Sequence, residues 1–470
     1  MSKTAINVDI TGSVPVKSVV LRLALPLSFI ILLQAGYQLI NLLWVSRLGP
    51  LAVVALSVCF PAVMVLSTLG TSLAMGGGIL MSQAVGAKNT CLMQQYARGA
   101  AFVSIAFALL IMAIALPGAN AVLALFKVEG AVHRDALTYL WIFLLGLPAT
   151  YCYSVLHSVL RSIGDMKSFV KVMVISLVLT AILDPLLIFG VGPFPALGVA
   201  GAAYATVLAQ AAGLIIINFL FTRDAMINPR LDRLRVPWLL MRRIVILSVP
   251  AATEQLIQLF GIFLINILCA QFGEISIGAY GLCLRLIFFV NIPSIAVSSA
   301  LQIIIGQNIG ADNMSRARAA LRFGTTMTFL LLATLGLVVF VCAYPIAAVF
   351  SDGDAAFADS CAVAIRICAL SFAFTGAQYA MRAAFMAAAR VTRFIWFMFV
   401  NILVLQVPMA YILAVPAGLG IDGVWYAIPL SSALSAAYVY WNVVRRTWER
   451  PKVETTDVGQ RGREADAEAA

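Results

Sequence analysis

Uninterrupted apolar runs constrain this chain more than any other feature. Residues 100–127 carry no charge before Lys127 at the end of the run, and residues 19–44 carry one charge, Arg22. Each run exceeds the roughly 20 residues that a helix needs to cross the hydrocarbon core of a bilayer. Backbone polar groups find no water there, so they must bond within a helix. Outer-membrane strands would alternate in polarity over about ten residues, unlike these runs. The chain is therefore predicted to be an all-α polytopic membrane protein.

Charge is scarce, and its placement predicts the topology. Charged residues make up 11% of the 470 residues, against about 25% in soluble domains. With the amino terminus in the cytoplasm, 26 of the 31 Lys and Arg fall in the termini, the even-numbered loops and the span ends beside them, and three fall in the odd-numbered loops. This bias is the positive-inside signature, so the net charge of +11 reports topology rather than nucleic acid binding. The twelve predicted spans are residues 22–46, 51–76, 97–118, 136–159, 168–190, 198–222, 244–271, 275–301, 320–344, 361–386, 393–415 and 421–445.

The amino-terminal sequence favours insertion into the inner (plasma) membrane. The first 18 residues are polar, and the apolar run that follows is long enough to span, so no cleavable signal peptide is evident. We expect a multi-pass, monomeric membrane protein with both termini in the cytoplasm.

Histidines and cysteines give no sign of an enzyme or a metal site. The chain has two histidines, His133 and His157, and neither an HExxH nor a CxxC motif. Most of its eight cysteines lie in apolar runs, where cysteine is an ordinary small core residue. We therefore expect no enzymatic activity, no cofactor and no metal.

A polar phrase occurs twice in the chain. "SQAVGAKN" at residues 82–89 and "GQNIGADN" at residues 306–313 share Gln, Gly, Ala and Asn at an offset of 224 residues. "LALP" at residues 23–26 and "LSVP" at residues 247–250 repeat at the same offset, which predicts a tandem repeat of six spans plus six. Because six is even, both halves cross in the same sense. Two bundles related by a pseudo-twofold axis along the membrane normal are expected, with a cavity near the midplane.

The repeat sets the expected domain boundaries and the meaning of the doubled phrase. The two copies are interpreted as cytoplasmic corners, in which Gly86 and Gly310 permit a tight exit from the helix. The domains are predicted to be an amino-terminal segment (1–21), a six-helix bundle (22–222), a cytoplasmic linker (223–243), a second six-helix bundle (244–446) and a disordered tail (447–470).

Several phrases in order carry a family resemblance. They include "Q-x-x-GA-x-N" at residues 83–89, "LRSIGD" at residues 160–165 and "LDPLLIFG…LGVAGAAYAT" at residues 183–206, with partial repeats in the second half. Over residues 20–445 the chain resembles the multidrug and toxic compound extrusion (MATE) family, and "LDPLLIFG" is most similar to its DinF-like branch. The resemblance implies a secondary active antiporter that exports amphipathic, mostly cationic drugs and toxins by alternating access.

Two acids lie deep within the predicted spans. Asp184 follows Lys171 by 13 residues and Glu254 follows Arg243 by 11, so they lie about 20 Å and about 17 Å along their helices. Intramembrane acids are costly, and they tend to face a cavity or a partner. A proton and a cationic substrate compete for such a carboxylate, which is the physical basis of exchange. The alternative is a structural acid, held by hydrogen bonds or, for Glu254, neutralised by Arg285.

The chain departs from the family pattern at two positions. The resemblance implies an acid where span one has Asn41, and an Asn where span five has Thr180. Asn41 does not titrate, so the charge is expected to reside on Asp184 and Glu254. Asn41 and Thr180 are expected to orient a water or a proton beside Asp184, which makes these four residues the predicted proton or cation coupling set.

Polar and aromatic side chains are predicted to line a substrate cavity. In span one, Gln34, Tyr37, Gln38 and Asn41 recur at three- and four-residue spacing and share a helical face. The alternative for this stripe is hydrogen bonding between helices. Aromatic rings there would bind flat cations by cation–π attraction, or serve as plain packing. The remaining predicted cavity residues are Tyr139, Tyr151, Gln258, Tyr280 and Arg285.

Three functions compete at this point. The first is an antiporter that exchanges small amphipathic organic cations for protons, or for sodium in an alternative version. The second is a flippase for a lipid-linked oligosaccharide, which requires a strongly basic cavity; Arg285 and Arg366 are the bases within the predicted spans. The third is a membrane enzyme, which the absence of a nucleophile or metal motif disfavours. The antiporter is the favoured prediction.

Overall fold

The computed structural model describes residues 10–12, 14–124, 129–190, 195–221, 237–350 and 355–449, and these residues form helices and no strand. The predicted linker (223–243) falls largely outside this part, and the predicted tail (447–470) almost entirely so. The helices are α1 (Val16–Ser46), α2 (Pro50–Gly86), α3 (Thr90–Ala124), α4 (Gly130–Ile163), α5 (Met166–Phe189), α6 (Val199–Phe221), α7 (Trp238–Ala270), α8 (Glu274–Gly310), α9 (Met314–Val341), α10 (Ala343–Phe350), α11 (Ala355–Ala369), α12 (Phe372–Ala387), α13 (Val391–Phe399), α14 (Val407–Ala414) and α15 (Ile421–Val444), with a π-helical segment, Val400–Gln406, between α13 and α14.

The helices match the predicted spans in number and order. Ten stretches within the described residues are long and apolar enough to cross a bilayer, and α11 with α12 forms an eleventh that is bent by 44°. Helix α15, with 24 residues, accounts for the last predicted span. The all-α polytopic fold predicted from the apolar runs is therefore confirmed.

The chain forms two compact units whose borders cut through two helices. One unit comprises Phe29–Ala252, and the other comprises Ile10–Ser28 together with the chain from Thr253. The borders lie within α1 and α7, each two residues after a proline, Pro26 or Pro250. These prolines are 224 residues apart, so the borders occupy equivalent places in the repeat. The domain boundaries given above stay a prediction.

Four corners between consecutive helices share one backbone geometry. Each has a residue with positive φ after the helix: Lys88 (56°), Gly164 (80°), Asp312 (54°) and Ala389 (57°). The next residue donates its N–H to the carbonyl five positions back, at 2.7–3.1 Å, which is the Schellman ending of a helix. The expectation that glycine supplies the tight exit from α2 and α8 is wrong, because Lys88 and Asp312 adopt the left-handed conformation there.

Side-chain caps begin the helices after three of these corners. Asn89, Asp165 and Asn313 each accept a hydrogen bond from the backbone N–H three residues on, at 2.9, 3.1 and 3.3 Å. Short polar side chains are favoured at this position because they satisfy an exposed helix donor. At the fourth corner Arg390 makes no side-chain cap, so the repeat is preserved in backbone shape and altered in chemistry.

Irregular backbone is concentrated in the second unit. Helices α11 and α12 are separated by Leu370 and Ser371, and the π-helical segment interrupts the next span. Single-turn π segments inside helices are frequent at functional sites. The predicted span prolines Pro185 and Pro293 lie inside α5 and α8, while Pro408 lies in the first turn of α14, directly after the π segment.

The first turn of α9 holds both ends of the described chain. Arg316 donates from Nε to the carbonyl of Ile10 at 2.8 Å and from Nη2 to the carbonyl of Val14 at 2.6 Å. Two residues further on, Arg318 forms a bidentate ion pair with Glu449 at 2.8 and 3.0 Å. Both contacts belong to the second unit, and together they fix the segments before α1 and after α15.

Candidate coupling and binding sites

Asp184 is the centre of the candidate site in the first unit. It lies in α5 with 0% of its surface exposed. The side-chain amide of Asn41 in α1 donates to Asp184 Oδ2 at 2.9 Å. The two residues are 143 positions apart in sequence, so the fold brings together the acid and the amide predicted to assist it. A buried carboxylate held by a neutral donor retains a negative charge that a proton or a cation can offset.

A polar stripe on α5 leads to Asp184. Ser176, Thr180 and Asp184 recur every four residues and are all buried, as one face of a helix requires. The Thr180 hydroxyl donates to the carbonyl of Ser176 at 2.7 Å, so its donor is satisfied within the helix. Tyr139 in α4 is half-buried, and it lies within electrostatic range of Asp184.

Glu254 is the second predicted acid, and it forms an ion pair. Arg382 Nη1 in α12 donates to Glu254 Oε1 at 3.1 Å, and the two side chains are 7% and 18% exposed. The alternative that an arginine neutralises this acid is therefore realised, but with Arg382 in place of the expected Arg285. Arg285 lies on α8 with an exposed side chain.

The arginine of this pair is held on several sides. Its guanidinium lies over the ring of Tyr379, 4.7 Å from the ring centroid, and it also contacts the sulfur of Met398. Met398 belongs to a small apolar cluster with Ile257 and Ile402. The guanidinium is therefore oriented by an acid and an aromatic ring in largely apolar surroundings.

Arg382 is the main site residue that sequence reasoning missed. Span ends were assigned to the cytoplasmic side, so Arg382 was counted with the loop after span ten rather than within the membrane. The structure continues α12 to Ala387, which leaves Arg382 buried more than one turn inside the helix. The bases predicted within the spans, Arg285 and Arg366, are both exposed. The repeat contained a signal that could have found it. Arg382 lies seven residues, or about two helical turns, before Ala389, and Ala389 is the corner residue equivalent to Gly164, so Arg382 belongs inside the helix.

The residues predicted to line a cavity have diverse surroundings. Tyr151 is 0% exposed, with its hydroxyl donating to the carbonyl of Leu66 at 2.7 Å, and Tyr280 is 2% exposed and stacks on Trp425. Both are enclosed in cores, where large rings fill volume, rather than facing a cavity. Gln258 is half-buried and Gln34 is exposed. The side chains of Tyr37 and Gln38 lie outside the described part of the structure.

These features together define a class of protein. The chain has repeated membrane-spanning helices, an acid within the spans of each half, and interrupted helices in the unit that contains Glu254. These features are typical of secondary transporters. The model of the MatE family matches residues 26–186 and 250–412, and the chain belongs to this family. The matched ranges start 224 residues apart at Pro26 and Pro250, so the family model recognises the same duplication. The chain is thus a multi-pass membrane transporter and not an enzyme.

Curated relatives of known sequence agree with this assignment. A protein of Shewanella oneidensis named FAD transporter is 28% identical over 346 residues, which cover 72% of this chain and 75% of that protein. The probable multidrug resistance protein YoeA of Bacillus subtilis is 25% identical over 445 residues, or 91% of this chain and 93% of YoeA. Staphylococcus aureus MepA, a multidrug export protein, is 25% identical over 63% of this chain and 65% of MepA.

Solved structures share the fold over nearly the whole chain. A crystal structure of MATE in the bent conformation superposes with a TM-score of 0.88 at 22% identity, covering 96% of this chain and 99% of that one. A transporter of the MOP superfamily from Pyrococcus furiosus, described as having a binding pocket of reverse polarity, gives 0.87 at 22% identity over 96% and 99%. At this identity the likeness establishes the twelve-helix fold.

Proposed function

We propose that this chain is a secondary antiporter that exports amphipathic, mostly cationic organic compounds in exchange for inward protons. Asp184 is the coupling acid, with Asn41 and Thr180 assisting it, and Glu254 is the second acid of the cycle. The transporter acts as a monomer in the inner (plasma) membrane with both termini in the cytoplasm. Multidrug resistance is named for the Bacillus relative and multidrug export for the Staphylococcus relative.

The observation that carries the proposal is the setting of Asp184. It is fully buried, and the amide of Asn41 contacts it at 2.9 Å. An ionised carboxylate in such a place is costly unless a positive charge approaches or a proton binds. Asp184 therefore favours either a proton or a cation at a given moment, and that competition is what exchange requires.

The cycle follows from this competition. With the site open to the cytoplasm, ionised Asp184 attracts a cationic compound. After the site opens to the outside, a proton from the higher external concentration neutralises Asp184, and the cation leaves. Because one proton enters for each monovalent cation that leaves, the exchange moves no net charge and is driven by the difference in proton concentration. A difference of one pH unit supplies about 1.4 kcal/mol and sustains a cation gradient of about tenfold.

Two alternatives predict different ligands. In a sodium-coupled version, Na⁺ would replace the proton at Asp184, with the oxygen atoms of Asn41 and Thr180 as neighbours. A flippase for a lipid-linked oligosaccharide would need several unpaired basic groups around a pyrophosphate. Arg382, a buried base of the second unit, is paired with Glu254, so its charge is already balanced, which supports the antiporter over the flippase.

The proposal is tested by efflux from everted membrane vesicles, with proton and sodium gradients imposed separately. We expect ethidium transport to depend on the proton gradient and to fall to background in Asp184→Asn, because the isosteric amide cannot exchange a proton. Flavin adenine dinucleotide, the cargo named for the Shewanella relative, serves as an anionic comparison.

The matched control is Asp422→Asn, which neutralises an exposed aspartate in the first turn of α15. It should transport ethidium at the wild-type rate. Asp184→Asn vesicles that still exchange protons for ethidium at the wild-type rate would overturn the assignment of the coupling acid. Transport driven by sodium alone would replace the proton by sodium in the same scheme.

A further inference from the structure

The ion pair in the second unit responds to a proton differently from Asp184. Glu254 and Arg382 together are neutral while the acid is ionised, and they are largely buried at 18% and 7% exposure. A guanidinium keeps its proton at every physiological pH. Protonation of Glu254 therefore leaves a net positive charge on this pair, whereas protonation of Asp184 removes a negative one.

A buried positive charge without its counter-ion is expensive. Breaking a buried pair by removing one partner costs about 3–5 kcal/mol, because the remaining charge is uncompensated. Any anion that can reach Arg382 would recover part of this free energy. Glu254 is the more exposed side chain of the pair, at 18% against 7% for Arg382, so displacement of Glu254 is the route by which an anion would arrive.

We propose that Arg382 is a binding site for the oxyanion group of an amphipathic organic anion, and that protonation of Glu254 opens this site. The planar guanidinium matches the two oxygens of a carboxylate, sulfonate or phosphate group. Tyr379 holds the guanidinium plane from one side. Ile257, Met398 and Ile402, which pack against one another next to Arg382, make the surroundings of this group apolar.

The groups that face Glu254 make this a simple switch. Helix α12 contributes Arg382 and Tyr379, which interact electrostatically with the acid. Met398 of α13 contacts the guanidinium of Arg382, and Ile402 of the π-helical segment packs against Met398; neither residue titrates. Among these described groups, Glu254 is the one whose charge changes within the titration range of a carboxylate.

The site extends the transporter beyond cation export. At Asp184 a proton and a cation exclude each other, whereas at Arg382 a proton on Glu254 and an anion bind together. The second unit would thus favour anions with the same proton that expels cations from the first unit. This inference does not rest on cation export, and it is tested by binding rather than by transport.

The test measures binding of anthraquinone-2-sulfonate to the full chain in phosphatidylcholine nanodiscs, by calorimetry at a series of pH values. The sulfonate stays charged throughout, so a pH dependence reports the protein. Binding to the wild type should tighten on acidification. Glu254→Gln should bind about tenfold or more tightly than the wild type at neutral pH, without pH dependence, since a hydrogen bond to a charged group contributes about 1.5–3 kcal/mol.

Control variants distinguish binding at Arg382 from nonspecific effects of removing an arginine and from misfolding. Arg382→Gln should abolish the binding, whereas Arg366→Gln, which removes an exposed arginine of α11 in the same unit, should leave it unchanged. The expected gain in Glu254→Gln cannot arise from misfolding. Wild-type binding that is independent of pH, or a Glu254→Gln variant no tighter than the wild type, would overturn the proposal. Loss of the gain on adding phosphatidylglycerol would support an oxyanion site at Arg382 and would identify a lipid phosphate as its occupant.

Discussion

The buried acids of the two units differ in the partner that each one has. Asp184 is met by a neutral amide at 2.9 Å, and Glu254 by a guanidinium at 3.1 Å. The contact with Asn41 does not offset the charge of ionised Asp184, whereas the guanidinium of Arg382 offsets that of Glu254. Protonation adds one positive charge at each site. It neutralises the negative pair of Asp184 and Asn41, and it makes the neutral pair of Glu254 and Arg382 positive.

The repeat shows how this difference is built into the sequence. At the offset of 224, Glu254 corresponds to Ile30, and Asn41 corresponds to Ile265. Through the equivalent left-handed corner residues, Arg382 corresponds to His157, which is buried between Tyr153 and Phe169. Ile30 and Ile265 are apolar where the other half has Glu254 and Asn41, and a histidine replaces Arg382 in the first half. The two polar pairs therefore occupy non-equivalent positions of the duplicated fold.

The largest expected effect comes from removing Arg382. Arg382→Met leaves Glu254 as an uncompensated buried charge, which should cost about 3–5 kcal/mol of unfolding free energy. In the first unit, Asn41→Leu removes one hydrogen bond to an acid and should cost about 1.5–3 kcal/mol. Unfolding in mixed detergent micelles measures both, and the double variant Glu254→Gln/Arg382→Met should recover most of the loss. Equal costs for the two single variants would remove the proposed contrast.

A second carboxylate in the first unit should make that site more sensitive to alkali. In Asn41→Asp two carboxylates would face each other at hydrogen-bonding distance, and they cannot both ionise cheaply. The folded variant should then hold a proton that the unfolded chain releases, so its stability falls as pH rises, by up to about 1.4 kcal/mol per pH unit. Thermal unfolding across a pH series measures this. Asn41→Ser, which does not titrate, is the control, and parallel profiles for the two variants would contradict the prediction.

The smallest effect concerns the corners that frame the two units. Gly164 and Ala389 occupy equivalent left-handed positions, with φ of 80° and 57°. A residue with a side chain pays roughly 1–2 kcal/mol there. Ala389→Gly should therefore stabilise the protein by about 1 kcal/mol, and Gly164→Ala should destabilise it by a similar amount. Ala387→Gly, inside α12, should destabilise and is the control; a shift of the same sign in both corner variants would contradict the account.

Much of the fold could be predicted from the sequence because bilayer physics leaves few choices. Apolar length and the placement of Lys and Arg predict twelve spans, and the structure has helices at each. The break at Leu370 and Ser371 and the π-helical segment Val400–Gln406 were not predicted, since neither contains a proline. Such irregularities depend on tertiary packing, which the local sequence does not report.

The candidate sites were only partly accessible from sequence. The contact between Asn41 and Asp184 follows from the family pattern, because both positions belong to it. Arg382 was missed because it lies four residues before the predicted end of the tenth span and was therefore assigned to the cytoplasmic side, whereas the structure buries it against Glu254. Tyr151 and Tyr280 were assigned to a cavity on residue type alone, yet aromatic residues in membrane helices also fill cores. Which face of a helix is enclosed depends on its neighbours.

The contacts at the start of α9 bear on the order of the two repeats along the chain. Arg316 and Arg318 bind Ile10 and Glu449 within a single helical turn, so the two ends of the described chain lie beside the same turn of α9. A circular permutant that joins the two termini and opens the chain between the repeats would keep every described helix, and it would also keep the contacts of Arg316 and Arg318. If such a permutant folds and transports, the order of the two halves in the chain is not required for the folded transporter.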